Sequence, residues 1–191
     1  MPLPFRPPVA GFDGRDRALS NFYENPISYF GFSIPTNEHG FQLAKCMDRD
    51  DMIQISRVKH PRRAKELGRQ VRLRPDWEEV KDGVMLELQI LKFGSAPRLR
   101  RRLLETGSRV LIEVNTWGDH YWGTDPQWFG ENRLGLALMK TRAFLGGVGL
   151  RCMIEGCEEA TSVHRVPHGS GFNLYLCQEH AAQLDEIEVI L

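Results

Sequence analysis

"IPTNEHGFQLAKC", residues 34–46, is the stretch from which the fold is read. A Pro-Thr break precedes a run of helix-forming residues, so a helix is predicted to begin near Thr36. The Thr36 hydroxyl can cap the exposed backbone N–H groups, and Glu38 in the first turn suits the positive end of the helix dipole. A helical residue turns about 100°, so positions i, i+4 and i+7 share a face. Glu38, Gln42 and Lys45 hold those positions, with Phe41 beside them. On an ordinary surface helix such a Glu and Lys would simply be solvated. His39 reads as a structural residue and not as a catalyst.

Working outward, "NPISYFGFSIP" alternates apolar and polar residues around Gly31, which predicts a hairpin or two short strands. Downstream, a second helical stretch covers about 50–57. "PRRAKELGR" has Pro61 at its start and Gly68 near its end, the punctuation of a short helix. Trp77, Val80, Val84, Leu88 and Leu91 recur at three to four residues, which predicts a long buried helix over 76–93. "PRLRRRLLETG" is another helix, closed by Gly107, and "RVLIEV" (109–114) a strand. "ENRLGLALMKTRAFL" is a further helix, and "GGVG" (146–149) reads as a flexible joint. Residues 1–16 form a Pro-rich arm, 17–146 the main domain, and 150–191 a small C-terminal module.

The totals exclude several classes. The 191 residues are 41% hydrophobic and 26% charged, enough apolar content for a packed core. The formal charge is zero, so nothing global steers the chain toward nucleic acid or anionic membrane. No apolar run approaches the roughly 18 residues that would span a bilayer. The first residues lack the basic-then-apolar pattern of a signal peptide, which leads to the expectation of a cytosolic protein. "RLRRR" (98–102) is the only dense basic run, and such a run is usually a solvated helix face.

The stretch "NTWGDHYWGTDPQWFGENRLG" (115–135) carries more chemistry than a loop needs. It holds three of the four tryptophans, and rings of that size in a loop either fold back on the core or line a binding site. Asp119 among Trp117, Tyr121 and Trp122 favours a site. A heterocycle stacks on an aromatic face while a carboxylate handles a proton or a hydroxyl. Gly130 and Asn132 lie at the next helix start, where free N–H groups favour phosphate.

The segments "LSNFY", "IPTNEHGFQLAK", "AKELGRQVRLRPDWEEVKDGVM", "LKF", "LLETG", "LIEVNTWGDHYWG" and "GENRLGLALMKTR", in this order over residues 18–145, resemble the NADAR family, also called YbiA-like. The resemblance implies a compact, mostly helical α+β fold and an N-glycosidase. Two substrate classes come with it: ADP-ribose attached to a nucleobase, notably guanine in nucleic acid, and phosphoribosylamino-pyrimidine intermediates of riboflavin synthesis. Carried over position by position, the implied site comprises Asn21, Phe22, Glu38, Lys45, Arg69, Trp77, Asp119, Tyr121, Trp122, Gly130, Asn132 and Arg133. Gln42 joins it from the helix face. The chain departs from the family pattern at Gly40, where a larger residue or Ala is more usual, and in its cysteine-bearing tail.

Breaking an N-glycosidic bond builds positive charge on the ribose ring. One carboxylate stabilises that charge, and a second group protonates the leaving nitrogen or activates water. Glu38 and Asp119 fit the two carboxylate roles, in either assignment. Lys45 is an ion-pair partner, a phosphate contact or, with a pKa depressed by burial, the amine that traps an opened sugar. The remaining reading is a catalytically silent sensor of ADP-ribose, disfavoured by the presence of both acids.

In the tail, Cys152 and Cys157 lie five positions apart, and Cys177 and His180 three apart. Three cysteines within 40 residues, in a reducing compartment, point to metal and not to disulfides. Cys3His is an accepted structural zinc set, with the second pair at the start of a helix. His164 and His168 are alternative ligands. A zinc knuckle either caps the main domain or contacts nucleic acid.

Overall fold

The computed structural model describes residues 7–154, 156–159, 164–167 and 173–183. The hairpin forms as expected: β2 (Ile27–Tyr29) pairs antiparallel with β3 (Phe32–Ile34) about Phe30 and Gly31. It leads directly into α1 (Asn37–Ala44), whose N-cap Thr36 accepts from the His39 N–H. The helices α2 (Arg49–Arg57), α3 (Pro61–Gly68), α4 (Trp77–Ser95) and α5 (Pro97–Leu104) follow within a residue or two of the boundaries read from the sequence. The fold is thus α+β and mostly helical.

Every residue of α1 is buried. The reason is position: α2, α3 and α4 pack around it, so there is no solvent side. Gly40 lets α1 close on α4, since a Cβ there would stand 2.5 Å from the Leu88 Cδ2. The amphipathic reading of this helix therefore becomes a different statement. Two of its polar residues, Glu38 and Gln42, line a cavity instead of the outer surface. His39 has the structural part expected of it, with Nδ1 2.8 Å from the Thr36 hydroxyl and Nε2 3.0 Å from the Val58 carbonyl.

The strand expected over 109–114 is confined to β4 (Leu111–Ile112). Its partner explains the length. β1 (Val9–Ala10) runs parallel to it and offers only two residues, too few for an alternating pattern to show in sequence. This short ladder draws residues 9–10 of the Pro-rich arm onto the main core. The carboxamide of Asn132 covers the other edge of β4, donating from Nδ2 to the Leu111 carbonyl (2.8 Å) and accepting the Glu113 N–H on Oδ1 (3.0 Å). Behind β4 lies α6 (Arg133–Phe144), which packs on α4.

The joint expected at 146–149 is pinned, not flexible. The fully buried Arg142 donates from Nε to the Val148 carbonyl (2.5 Å) and from Nη2 to the Gly149 carbonyl (3.1 Å). Its Nη1 reaches the Thr106 hydroxyl and the Arg109 carbonyl. Beyond it, β5 (His164–Pro167) and β6 (Asn173–Leu176) form a hairpin, and α7 (Gln178–Ala182) follows Cys177 directly. Cys152, Met153, Ile154, Tyr175 and Leu176 are buried in continuity with the main core. Among the described residues no helix is long and apolar enough to cross a membrane.

Candidate active site

A cavity of about 790 Å³ opens between α1, α3, the start of α4 and the aromatic loop. That volume is in the range of sites for nucleotide-sized ligands. Glu38, Phe41 and Gln42 from α1 and Lys45 at its C-cap line the cavity, and so do Asp119, Tyr121 and Trp122 of the aromatic loop. Asn21, Phe22, Arg69 and Trp77 complete the set that the sequence had singled out and that the fold brings together.

Aromatic packing fixes the walls to each other. Phe41 stands edge-on to both Trp77 (4.9 Å between centroids) and Trp122 (5.1 Å), so the helix and the loop share one ring cluster. Tyr121 is held by its hydroxyl, which donates to Asp82 Oδ1 (2.9 Å), and Lys81 Nζ lies 3.8 Å from its ring centroid. Trp117 stays 66% exposed at the rim. Asn115 shapes the turn that presents Asp119: its side chain donates to the Asp119 carbonyl and accepts the Asp119 N–H. The Asp119 Oδ1 in turn accepts the Trp122 N–H at 2.9 Å.

The electrostatics of the floor follow from burial. Glu38 is 6% exposed, and desolvation raises its pKa; the charges of Lys65 and Lys45 and a 2.6 Å hydrogen bond from Gln42 Nε2 oppose that rise. Burial lowers the pKa of Lys45. Beneath the Ser20–Asn21 segment, the buried Lys92 donates to the Ser20 carbonyl (2.7 Å), and Gln89 donates to Asn21 Oδ1 (2.6 Å). Desolvation brings the Lys92 pKa down to about 7.

Three residues attributed to the site stand outside the cavity lining, although Arg133 lies 5.5 Å from the Tyr121 ring. Gly130, Asn132 and Arg133 do not line the cavity. Gly130 has φ +150°, and a Cβ there would meet the Gly123 carbonyl at 2.3 Å, so close backbone approach accounts for it. Asn132 spends its side chain on β4 and, through Nδ2, on the Tyr175 hydroxyl (3.3 Å). Arg133 pairs with Glu131 and Asp82 on the surface. The basic run 98–102 is also absent from the cavity wall; Arg100 and Arg102 bond the carbonyls of Leu145 and Arg15.

The fold also adds residues that the sequence reading passed over. Glu113, just past β4, lines the cavity with Oε2 buried and unpartnered. Burial, reinforced by the nearby Asp119 charge, pushes its pKa up to about 7. Its place between a buried strand and the aromatic loop was the available signal. Arg62 and Lys65 line the α3 wall, at helical spacing from Arg69.

At the far end of the molecule, Cys152, Cys157, Cys177 and His180 bring their ligand atoms within 4.8 Å of one another. Cys157 and Cys177 Sγ are 4.0 Å apart, and His180 Nδ1 lies 3.6 Å from Cys152 Sγ and 3.1 Å from Cys177 Sγ. A Cys3His tetrahedron with metal–sulfur bonds of about 2.3 Å and metal–nitrogen bonds of about 2.0 Å has edges of about 3.5–3.8 Å, close to these separations, so this set could hold a metal ion. His164 lies in β5, whereas His168 lies outside the described residues.

Residues 12–146 match the NADAR domain. The chain is 41% identical over 126 residues to the N-glycosidase YbiA of Escherichia coli strain K12, covering 65% of this chain and 78% of the relative. It is 34% identical over 129 residues to an N-glycosidase of Nostoc punctiforme, covering 65% and 82%. A riboflavin biosynthesis protein of Zea mays, PYRR, is 34% identical over 147 residues, which are 68% of this chain and 23% of that one. The NMR structure of the E. coli protein YbiA superposes with a TM-score of 0.66 at 36% identity, over 73% of this chain and 86% of the other. Fold, cavity and likeness agree, and the chain belongs to the NADAR family.

Proposed function

We propose that this protein is an N-glycosidase that hydrolyses a ribose C1–N bond and, specifically, removes ADP-ribose from a modified nucleobase such as guanine in nucleic acid. The observation that carries the reading is the meeting of Glu38, Glu113 and Asp119 with an aromatic wall in one cavity of nucleotide size. The names of the bacterial relatives support the reaction class.

In this reading the departing base stacks on Trp122 or Tyr121. Such a stack contributes roughly 1–3 kcal/mol. Glu38, pushed toward its protonated form by burial, donates a proton to the leaving nitrogen. Asp119, fixed by the Trp122 N–H, stabilises the positive charge on the ribose ring and receives the proton of the attacking water. Glu113, its pKa raised to about 7, keeps its proton below neutral pH and there spares Asp119 a second negative charge nearby. Lys45, together with Lys65, limits how far the Glu38 pKa rises. Asn21, Phe22, Arg69 and Trp77 shape the space around the sugar.

The maize relative's name favours a second substrate, a phosphoribosylamino-pyrimidine intermediate of riboflavin synthesis. The test is incubation with ADP-ribosylated DNA and, separately, with that pyrimidine, scoring released sugar. Release from the DNA alone is expected. Release from the pyrimidine alone transfers the assignment to the second substrate, and binding of ADP-ribose without release from either leaves a ligand sensor. Zinc is the metal we assign to the Cys3His set, since thiolates with one imidazole in a closed tetrahedron suit it in a structural role. Elemental analysis finding one zinc per chain is the expected result.

A further inference from the structure

We infer that the cavity-facing side of α3, formed by Arg62, Lys65 and Arg69, is the subsite that takes the phosphate groups of the substrate. The ligand class rests on the glycosidase reading above; the site itself is argued from geometry. Positions 62, 65 and 69 follow i, i+3 and i+7 and therefore share one helical face. All three line the cavity. At a rise of about 1.5 Å per residue the row is about 10 Å long, more than a single phosphate requires and suited to a diphosphate.

The helix is held against α1 by a close contact: a Cβ on the buried Gly68 would lie 2.0 Å from Gln42 Oε1. That contact sets the three cations over the same space as Glu38. Lys65 is the cation whose charge acts most strongly on Glu38, and it acts on Glu113 as well. The one ion pair of α3 among the described residues, Arg63–Glu66 at 2.8 Å, uses Arg63 instead. None of the three cavity-facing cations has a carboxylate within 4 Å among the described residues.

Between acids and cations sits Gln42, 3% exposed, whose Nε2 is committed to Glu38 and whose Oε1 is buried without a partner. That oxygen packs against Gly68 and is closed to the cavity, so Gln42 holds Glu38 on one side and seats α3 on α1 on the other. The cavity then reads in order as aromatic rings for the base, Glu38 for the ribose, and the α3 face for the phosphates. Arginine meets phosphate through a bidentate fork and lysine as a point charge.

The test is calorimetric titration of the full chain with ADP-ribose, ribose 5-phosphate and adenosine. Wild type, Arg62→Ala, Lys65→Ala and the double variant are compared, with Arg98→Ala on α5 as a control away from the cavity. Each removed cation is expected to weaken ADP-ribose binding about tenfold, the loss of one charge-assisted contact. Adenosine binding and the control variant stay at wild-type levels. A loss shared by ribose 5-phosphate assigns the row to the sugar's own phosphate, and a loss confined to ADP-ribose assigns it to the diphosphate; both support the subsite. ADP-ribose affinity within twofold of wild type in the double variant overturns it, as does failure of the wild type to bind either phosphorylated probe. These outcomes are separate from turnover. Phosphate binding without bond cleavage in any substrate removes the glycosidase and keeps the subsite, while cleavage with an unaltered KM in the double variant removes the subsite and keeps the glycosidase.

Discussion

The cavity floor and the C-terminal module are both built around polar side chains withdrawn from water, but they are held in opposite ways. Glu38, Gln42 and Glu113 stand on elements packed from several sides by a continuous apolar core. Among the described residues, the Cys3His set is surrounded by a short hairpin, one turn-and-a-half of helix and a handful of buried neighbours. In the first region the core orders the chemistry. In the second, on the proposed zinc assignment, the metal orders the chain.

Metal removal is the strongest way to break that contrast. A structural zinc site of this type returns about 10–16 kcal/mol of binding energy as folding energy. Chelation, or Cys177→Ser, is expected to unfold the module from about residue 150 onward, as read by limited proteolysis. The main domain keeps its helical signal and most of its activity. Loss of the whole fold on chelation would mean that the core of residues 7–149 depends on the module.

Glu38→Gln comes next. The side chain is nearly isosteric, and the fold does not rest on its charge, so a melting temperature close to wild type is expected. Removing a positioned acid costs about 10²–10⁴ in rate, and single-turnover release of sugar should fall within that range. A variant of full activity would take Glu38 out of the mechanism.

Glu113 gives the cavity a pH signature of its own. Its pKa is about 7 in the folded protein against 4.5 in an unfolded chain. Between those values the folded protein holds a proton that the unfolded chain has released. Stability from this group is therefore full below about pH 4.5 and is lost as pH rises through about 7. The shift corresponds to at most about 3.5 kcal/mol. Urea titrations at pH 5, 6, 7 and 8 should show the decline, and Glu113→Gln should flatten it. An unchanged slope in that variant would place the titrating group elsewhere.

What sequence could say about the site follows from the same contrast. The α1 face, the aromatic loop and the Cys3His set were legible because each is a local pattern: helical spacing, an excess of rings in a loop, paired ligand spacing. Glu113 was not, because its significance comes from Asp119 and from burial under elements far away in the chain. Arg62 and Lys65 sit on a face of α3 that has the look of a solvated helix until α1 is placed against it. Gly130 and Asn132 were read for their position at a helix start, where a phosphate role and a packing role look alike in sequence. Asn132 is the clearer case: its left-handed backbone (φ 53°) turns the side chain onto β4 instead of capping α6. The two-residue β1 is below the length at which any alternation can be seen.

The smallest expected effect lies at the border of the two regions. Asn132 Nδ2 donates to the Leu111 carbonyl and to the Tyr175 hydroxyl, and its Oδ1 accepts the Glu113 N–H. Asn132→Ala strips the partner from two buried backbone groups, at a cost of about 1–3 kcal/mol each where no water enters. Tyr175→Phe removes the 3.3 Å contact to Asn132 and leaves both Asn132 backbone bonds in place. That contact is one neutral hydrogen bond, about 0.5–1.5 kcal/mol, a drop of a few degrees in melting temperature for a chain of this length. If the module is a cap and nothing more, kcat and its pH profile stay unchanged in Tyr175→Phe. A shift of the limb near pH 7 in that variant would show the module reaching Glu113 through Asn132, and the two regions would then be one working unit.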